Sequence, residues 1–295
     1  PLTRNCFAEG KTQQSAVLEM QPREPKSPTD VIKFGDPILL HHVRKGKSYY
    51  LSVKEGGKFS SMYGEVKFED LIGKPFGTKI GEFRAYRPTL ENFVMFKLRR
   101  EGQIIYPKDA ALILMKLDVH DGSRVLEIGT GSGALLLFLA RACAPSGSVV
   151  TCDVSERFTE VAKKNISHFE FAKNVEFRVL SLVRDTSLQT TPQSLNIQNF
   201  EFKNSEFDCA VIDCREPTQM LDIVHKAVKP GAPVVFFAAV TNQVSDFIRT
   251  AEGKFDSFEV IELLQRNYKP VPDRLRPVDR MVAHTGYMVF CKAVC

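Results

Sequence analysis

Between residues 123 and 251, short apolar runs alternate with longer stretches whose apolar residues recur at three- and four-residue spacing. The short runs read as buried strands, the longer stretches as amphipathic helices. The pattern predicts a strand from 123 ending in a glycine-rich turn, a helix over 134–142, a strand over 149–152, a helix over 156–168 and a strand over 175–180. It continues with a strand over 207–212, a helix over 220–228, a turn at 229–232, a strand over 234–238 and a helix over 244–251. Strands alternating with helices predict a doubly wound α/β domain. Two more strands, 258–264 and 286–294, are joined by a proline- and arginine-rich loop over 267–285, with no helical pattern between them. They are expected to pair antiparallel, because a parallel pair needs a crossover.

Other stretches break this rhythm. Residues 1–30 are polar and aperiodic and read as a flexible tail. Residues 31–81 carry short alternating runs, among them Tyr49-Tyr50-Leu51-Ser52-Val53, cut by glycine turns, which predicts a small antiparallel sheet or barrel. Basic residues interleave with aromatics there (Arg44, Lys45, Lys47, Tyr49, Tyr50), a surface suited either to a phosphate backbone with stacked bases or to plain solvent. Thr89 is placed to cap one helix, and Asp109 to cap a second that carries Ala110, Ile113, Leu114 and Leu117. Residues 185–206 are rich in Thr, Gln, Asn and Ser and read as an inserted loop. The domain organisation expected is a tail over 1–30, a small β domain over 31–95, and an α/β domain over 96–295 holding the insertion.

With 43% hydrophobic residues, the 295-residue chain can bury a sizeable core. No apolar run approaches the ~20 residues of a membrane span. A net charge of +5 suits a nucleic-acid partner but fits an ordinary solvated surface equally well. The seven cysteines are odd in number and show no C-x-x-C spacing. Free thiols in a reducing compartment are expected, and no metal site. The chain opens at Pro1, so a fragment or processed form is expected, uninformative about destination.

The chemistry concentrates after the first α/β strand, in Glu127-Ile-Gly129-Thr-Gly131-Ser132-Gly133-Ala134. Glycines let the backbone approach a ligand, and the following helix turns its free N–H groups toward the turn. Gly129-x-Gly131-x-x-Ala134 fits the dinucleotide fingerprint. Glu127-x-Gly129-x-Gly131-x-Gly133 fits the loop of S-adenosylmethionine (SAM) methyltransferases. Asp153, ~20 residues on, can accept ribose hydroxyls in either case. Seven strands with an antiparallel pair at the C-terminus favour the methyltransferase sheet over a NAD-linked oxidoreductase.

Several segments carry a closer likeness: Gly56-Gly57-Lys58-Phe59, Asp70-Leu71-Ile72-Gly73-Lys74-Pro75, Arg87-Pro88-Thr89-Leu90, Gln103-Ile104-Ile105-Tyr106-Pro107-Lys108-Asp109, the glycine loop, and Arg280-Met281-Val282-Ala283-His284-Thr285-Gly286-Tyr287. Over 35–295 the chain resembles the tRNA (adenine-N1) methyltransferase family, which modifies adenine 58 of the T-loop. Within it the resemblance is to the mitochondrial single-gene branch of animals. The glycine loop is generic to methyltransferases, whereas the Gln-Ile-Ile-Tyr-Pro-Lys-Asp and His-Thr-Gly-Tyr segments are specific to this family.

The resemblance implies a Rossmann-like seven-stranded methyltransferase sheet with a small N-terminal β-barrel. It implies SAM as cofactor, tRNA as partner with ribosomal or messenger RNA as further candidates, a homotetramer and a mitochondrial location. Gly129, Gly131, Ser132 and Gly133 are expected near SAM, Glu127 at its amino group and the main chain of Ile105 at its methionine part. Ser181, followed by Leu182, stands where relatives carry an aspartate against the SAM adenine. Asp213 ends a strand at the edge where such sheets bind ligands and is expected to hold the target adenine through its amino group. The family commonly reads Asp-Leu-Pro there; this chain reads Asp213-Cys214-Arg215. Tyr106 is expected to stack on the flipped base or close the SAM pocket. Arg274, Arg276 and Arg280 are expected at phosphates, and His284 at RNA or, more simply, in a structural hydrogen bond. A non-catalytic tRNA-binding subunit is the alternative from another class.

Overall fold

The computed structural model describes residues 31–184, 195–198 and 202–295; of 181–184 and 195–198 only the backbone is considered. The expected tail over 1–30 lies outside the described residues. The chain divides into two units, Pro1–Arg87 and Pro88–Cys295.

In the first unit, the alternating runs form β1 (Pro37–His42), β2 (Lys47–Ser52), β3 (Lys58–Ser61), β4 (Gly64–Lys67), β5 (Lys79–Ile80) and β6 (Phe83–Tyr86). Four of them make an antiparallel sheet in the order β2-β1-β6-β5, and β3 pairs with β4 as a separate hairpin. Ile38 and Leu40 of β1 point one way and are fully buried, as a period of two requires. Of the expected small antiparallel sheet or barrel, the described residues form the sheet, with β2 and β5 at its edges. Aromatic packing joins the hairpin to the sheet. Phe59 of β3 packs on Tyr49 at 4.6 Å and on Phe83 at 5.7 Å between ring centroids. The turn after β1 exposes Arg44 and Lys45, and β2 opens on an exposed Lys47.

The second unit opens with α1 (Leu90–Phe96) and α2 (Pro107–Lys116), followed by β7 (Arg124–Ile128), α3 (Ala134–Cys143), β8 (Ser148–Asp153), α4 (Glu156–Ile166) and β9 (Val175–Val179). Next come β10 (Ser181–Arg184), β11 (Leu195–Gln198), β12 (Cys209–Ile212), α5 (Leu221–Ala227), β13 (Pro233–Ala238) and α6 (Thr241–Ala251). The unit ends with β14 (Phe255–Ile261), β15 (Tyr268–Lys269), β16 (Arg276–Pro277) and β17 (Tyr287–Ala293). Seven strands form one sheet in the order β14-β17-β13-β12-β7-β8-β9. β17 runs antiparallel to both its neighbours, as the missing crossover helix predicts, while β12, β13, β7, β8 and β9 pair parallel. All four residues of β12 are buried, the mark of a strand covered on both faces. α5 and α6 bury Val224 and Phe247 in the cluster that also holds Phe236 and Val289.

The structure departs from these expectations at several points. α1 goes with the larger unit, so the division falls at Arg87–Pro88 rather than after residue 95. There Phe93 meets Phe169 edge-on at 4.8 Å. Thr89 caps α1 in a reciprocal box with Asn92. Asp109 does not cap α2: Tyr106 holds the cap position, Pro107 starts the helix, and the Asp109 carboxylate is buried among other partners. Within the polar insertion, where only a loop was expected, Leu195–Gln198 forms a strand that pairs with Ser181–Arg184 just before it. β15 and β16 likewise form a short hairpin within the proline- and arginine-rich loop.

Phe247 is fully buried and stacks on Phe236 at 4.5 Å. Phe247→Ala should cost about 3–5 kcal/mol of folding free energy, because the cavity adds to lost transfer energy. Urea denaturation checks this, and a loss near zero would show that α6 is not part of the cooperative core.

Candidate active site

The strand order reverses between β7 and β12, since β7 crosses to β8 on one side and the chain returns to β12 on the other. Open α/β sheets bind ligands at the carboxyl ends of strands at such a point. Here β7 ends in Glu127 and Ile128, followed by the glycine turn, and β12 ends just before Asp213. The two ends are tied by the Asp213 N–H, which donates to the Ile128 carbonyl at 2.7 Å. Gly129 has φ +104°, and a Cβ there would lie 1.8 Å from the Asp213 carbonyl oxygen. Only glycine fits.

Glu127 is 1% exposed. The parallel register sets Thr151 of β8 beside it, and the Thr151 hydroxyl donates to Glu127 Oε2 at 2.5 Å. The Thr130 hydroxyl lies 2.7 Å from that of Thr151. Burial pushes the Glu127 carboxyl up to about 8; the Thr151 hydrogen bond opposes the shift, and the nearby Asp213 and Asp153 charges add to it. Asp213 is half-buried, and desolvation, followed by the Asp153 charge, raises its carboxyl to about 7. Among the described residues, no hydrogen-bond donor reaches the Asp213 carboxylate.

Asp153 ends β8, where its Oδ2 accepts from Gly131 N–H at 2.9 Å and its Oδ1 from Ser155 N–H at 2.8 Å. It thus shapes the glycine turn, with each oxygen keeping a lone pair for a further donor. Gly133 caps α3 in a left-handed conformation, φ +78°. Ser132 is buried; its hydroxyl accepts from Glu101 N–H at 3.0 Å.

A strap of chain between α1 and α2 covers the turn. One cleft is lined by Gln103, Ile104 and Ile105 of this strap together with Glu127, Gly129, Thr130, Gly131, Ser132, Ala134, Leu135 and Asp213. Its enclosed volume is about 20 Å³, against about 420 Å³ for a depression at the opposite edge of the sheet that includes Asp118, His120, Asp208 and Lys229. Size does not locate the site; the carboxylates and the glycine turn do.

The structure therefore brings Ile105, Glu127, Gly129, Gly131, Ser132 and Asp213 to one cleft, with Gly133 and Asp153 directly behind the turn. Tyr106 follows Ile105, half-buried, with the Arg100 guanidinium 6.0 Å from its ring, and is not among the cleft-lining residues. Ser181 and Leu182 lie on β10, where side chains are outside those described. His284 is exposed; its Nδ1 lies 2.7 Å from Glu262 Oε1 and its Nε2 2.9 Å from the Ala239 carbonyl. With acceptors on both nitrogens, the Glu262 contact first and the Ala239 carbonyl second, its pKa is raised. Sequence reasoning missed Thr130, Thr151, Gln103 and Leu135. Only strand register exposes Thr151, whereas Thr130 lies within the glycine turn itself.

The set fits SAM. None of the cleft-lining residues is cationic, the acids there are desolvated, and a ligand carrying a sulfonium and an ammonium would offset that cost. A pyrophosphate would meet carboxylates instead.

A seven-stranded sheet with one reversed strand and an acid–glycine turn at its switch point defines the class of SAM-dependent methyltransferases. Within that class, residues 86–275 match the family described as the tRNA methyltransferase complex GCD14 subunit. The chain is 32% identical over 259 residues to a tRNA (adenine(58)-N(1))-methyltransferase, TrmI, of Thermus thermophilus, covering 86% of this chain and 95% of that one. It superposes with a TM-score of 0.79 and 37% identity on the crystal structure of a tRNA (m1A58) methyltransferase, TrmI, from Aquifex aeolicus, covering 90% and 99% of the two chains. A SAM-dependent O-methyltransferase from Thermotoga maritima gives 0.78 and 33%, covering 90% and 96%. The chain belongs to the tRNA (adenine-58-N1) methyltransferase family.

Two outcomes test this geometry. Gly129→Ala should abolish SAM binding in calorimetric titration, because the Cβ forces β7 from β12; binding within twofold of wild type would refute the close approach. Second, both Glu127 and Asp213 have folded pKa values above their unfolded ones. Their stabilising effect is complete below about pH 4 and is lost as pH rises through about 7 and 8. The cofactor-free protein should therefore lose thermal stability across that window, less so in Glu127→Gln; superimposable pH profiles of the two would exclude Glu127 as the source.

Proposed function

We propose that the chain transfers a methyl group from SAM to N1 of adenine 58 in tRNA. The observation that carries this reading is the Asp213 carboxylate, without a protein donor, sharing one cleft with Glu127 and the glycine turn. Family membership and the names of its relatives support the substrate.

When bound, SAM supplies a methyl on a sulfonium that leaves as a neutral thioether, so positive charge passes to the adenine ring. Adenine N1 already offers a lone pair, and no base is needed to free it. The protein's task is alignment, exclusion of water and stabilisation of that charge. Asp213 accepts from the adenine amino group, which orients N1 and places a negative charge by the developing cation. Glu127 holds the SAM ammonium, Asp153 the ribose, and the strap at Ile105 the methionine part. Tyr106, beside the strap, stacks on the extruded base. The exposed Arg44, Lys45 and Lys47, with Arg274, Arg276 and Arg280, are the phosphate contacts of this reading.

The finer proposals are a homotetramer acting in mitochondria. Exposed Leu264, Tyr268, Leu275 and Val282 around the β15–β16 hairpin support the first, as apolar surface suited to subunit contact. The second rests on the resemblance alone. A non-catalytic subunit is disfavoured by the intact cleft, and an oxidoreductase by its carboxylates.

Asp213→Ala should lower single-turnover methylation about 10²–10³-fold, as loss of one charge-stabilising group does, while SAM affinity stays within a few-fold. Primer-extension stops on T-loop adenine and calorimetry read the two quantities; full activity in the variant would remove the role. Nucleoside mass spectrometry of mitochondrial and cytosolic tRNA after depletion of the protein tests the compartment.

A further inference from the structure

The strap over the cleft runs from Arg99 to the start of α2, and both its ends are fastened by buried polar groups. At one end Asn165 of α4, 6% exposed, accepts from Arg99 N–H at 3.1 Å and donates to the Arg99 and Ser132 carbonyls, each at 2.9 Å. At the other end, two residues past Tyr106, the Lys108 ammonium has its three protons matched to three acceptors. Asp109 Oδ1, the Leu263 carbonyl and Thr285 Oγ1 each lie 2.6 Å from Nζ. The Thr285 hydroxyl in turn donates to Asp109 Oδ2 at 2.8 Å. The Lys108 side chain is 10% exposed and that of Asp109 fully buried.

A buried ion pair of this kind is weak as a source of stability, since desolvation offsets its attraction. It is strong as a directional constraint, since each bond fixes an angle. What it constrains is the first turn of α2, and through it Ile105, which lines the cleft. It also joins two segments far apart in the chain, Gln-Ile-Ile-Tyr-Pro-Lys-Asp and His-Thr-Gly-Tyr, the stretches that the sequence singled out beyond the glycine loop.

We infer that Lys108, Asp109 and Thr285 form a clasp that positions the strap over the cofactor cleft, with Thr285 the positioning residue contributed by the C-terminal segment. The inference rests on the reading of the cleft as a SAM site. Thr285 touches neither the glycine turn nor Asp213; it acts through Asp109 and Lys108.

The test is Thr285→Val in the full chain, which keeps shape and removes both hydroxyl bonds. Thr285→Ser restores the hydroxyl, and Val224→Ala, in α5, supplies a destabilised control without polar change. Calorimetric SAM affinity, thermal midpoint, and KM for SAM and for tRNA are measured on each. Thr285→Val should weaken SAM binding about tenfold, the scale of an unmet bond to a charged group, with KM for tRNA unchanged. Thr285→Ser should bind within twofold of wild type, and Val224→Ala should melt lower yet bind SAM normally. Wild-type SAM affinity in Thr285→Val overturns the clasp, and so does an equal loss of affinity in Val224→Ala. If the wild-type protein binds no SAM, the functional reading itself fails, a result distinct from either.

Discussion

The site depends on how closely two parallel strand ends can approach. β7 and β12 are paired to Ile128↔Ile212, and the next residues must diverge while still packed. Gly129 makes this possible, because the space a side chain would take is filled by the Asp213 carbonyl. The consequence is electrostatic. Two carboxyl groups, one from each strand end, share a cleft that desolvates them, and neither has a cation beside it among the cleft-lining residues. In the free protein both acids hold protons more tightly than in water. Burial of Val211, Ile212, Leu126 and Ile128 in the strands beneath offsets that cost.

That arrangement selects its ligand by charge as well as by shape. Glycine turns at a switch point serve dinucleotides and SAM alike, and the backbone alone does not separate them. The side chains do. Glu127 faces the turn with one oxygen committed to Thr151, and Asp213 faces it with none committed to a protein donor. A cationic ligand lowers the cost of ionising both acids; an anionic one raises it. Charge complementarity thus argues for a sulfonium donor independently of any relative.

The sequence displayed the parts of this site that are local. A strand, three glycines and a helix are adjacent in the chain, and Asp213 could be placed because a strand end is a sequence feature. The reversed last strand was legible from the absence of a helix. Register was not. Thr151 supports Glu127 because β7 and β8 pair in one frame, and the residues of α3 between them carry no sign of which frame. Asp109 shows the same limit from the other side. Its position suited a helix cap, but Lys108 and Thr285, the latter 176 residues away, claimed the carboxylate. The β10–β11 hairpin was hidden because β11 lies within a polar stretch whose composition reads as loop. Alternation in the first unit reported strands and not whether their edges meet, so it left sheet and barrel both open.

Two kinds of burial then divide the work in the larger unit. Apolar burial fills the sheet and helices and sets the topology, but it is non-directional and would accept small shifts. Apart from Ser123 and Thr159, the buried polar side chains described in this unit (Asp109, Glu127, Thr130, Ser132, Thr151, Asp153 and Asn165) gather around the glycine turn and the strap. There each makes a bond of fixed length and angle: Asp153 to the turn, Asn165 to one end of the strap, Asp109 to the other. Such groups are costly in a core, and satisfied networks repay the cost mainly in uniqueness of geometry. Their confinement to one edge of the sheet follows if position matters there to fractions of an ångström, as it does where a methyl group must pass in line between two bound molecules.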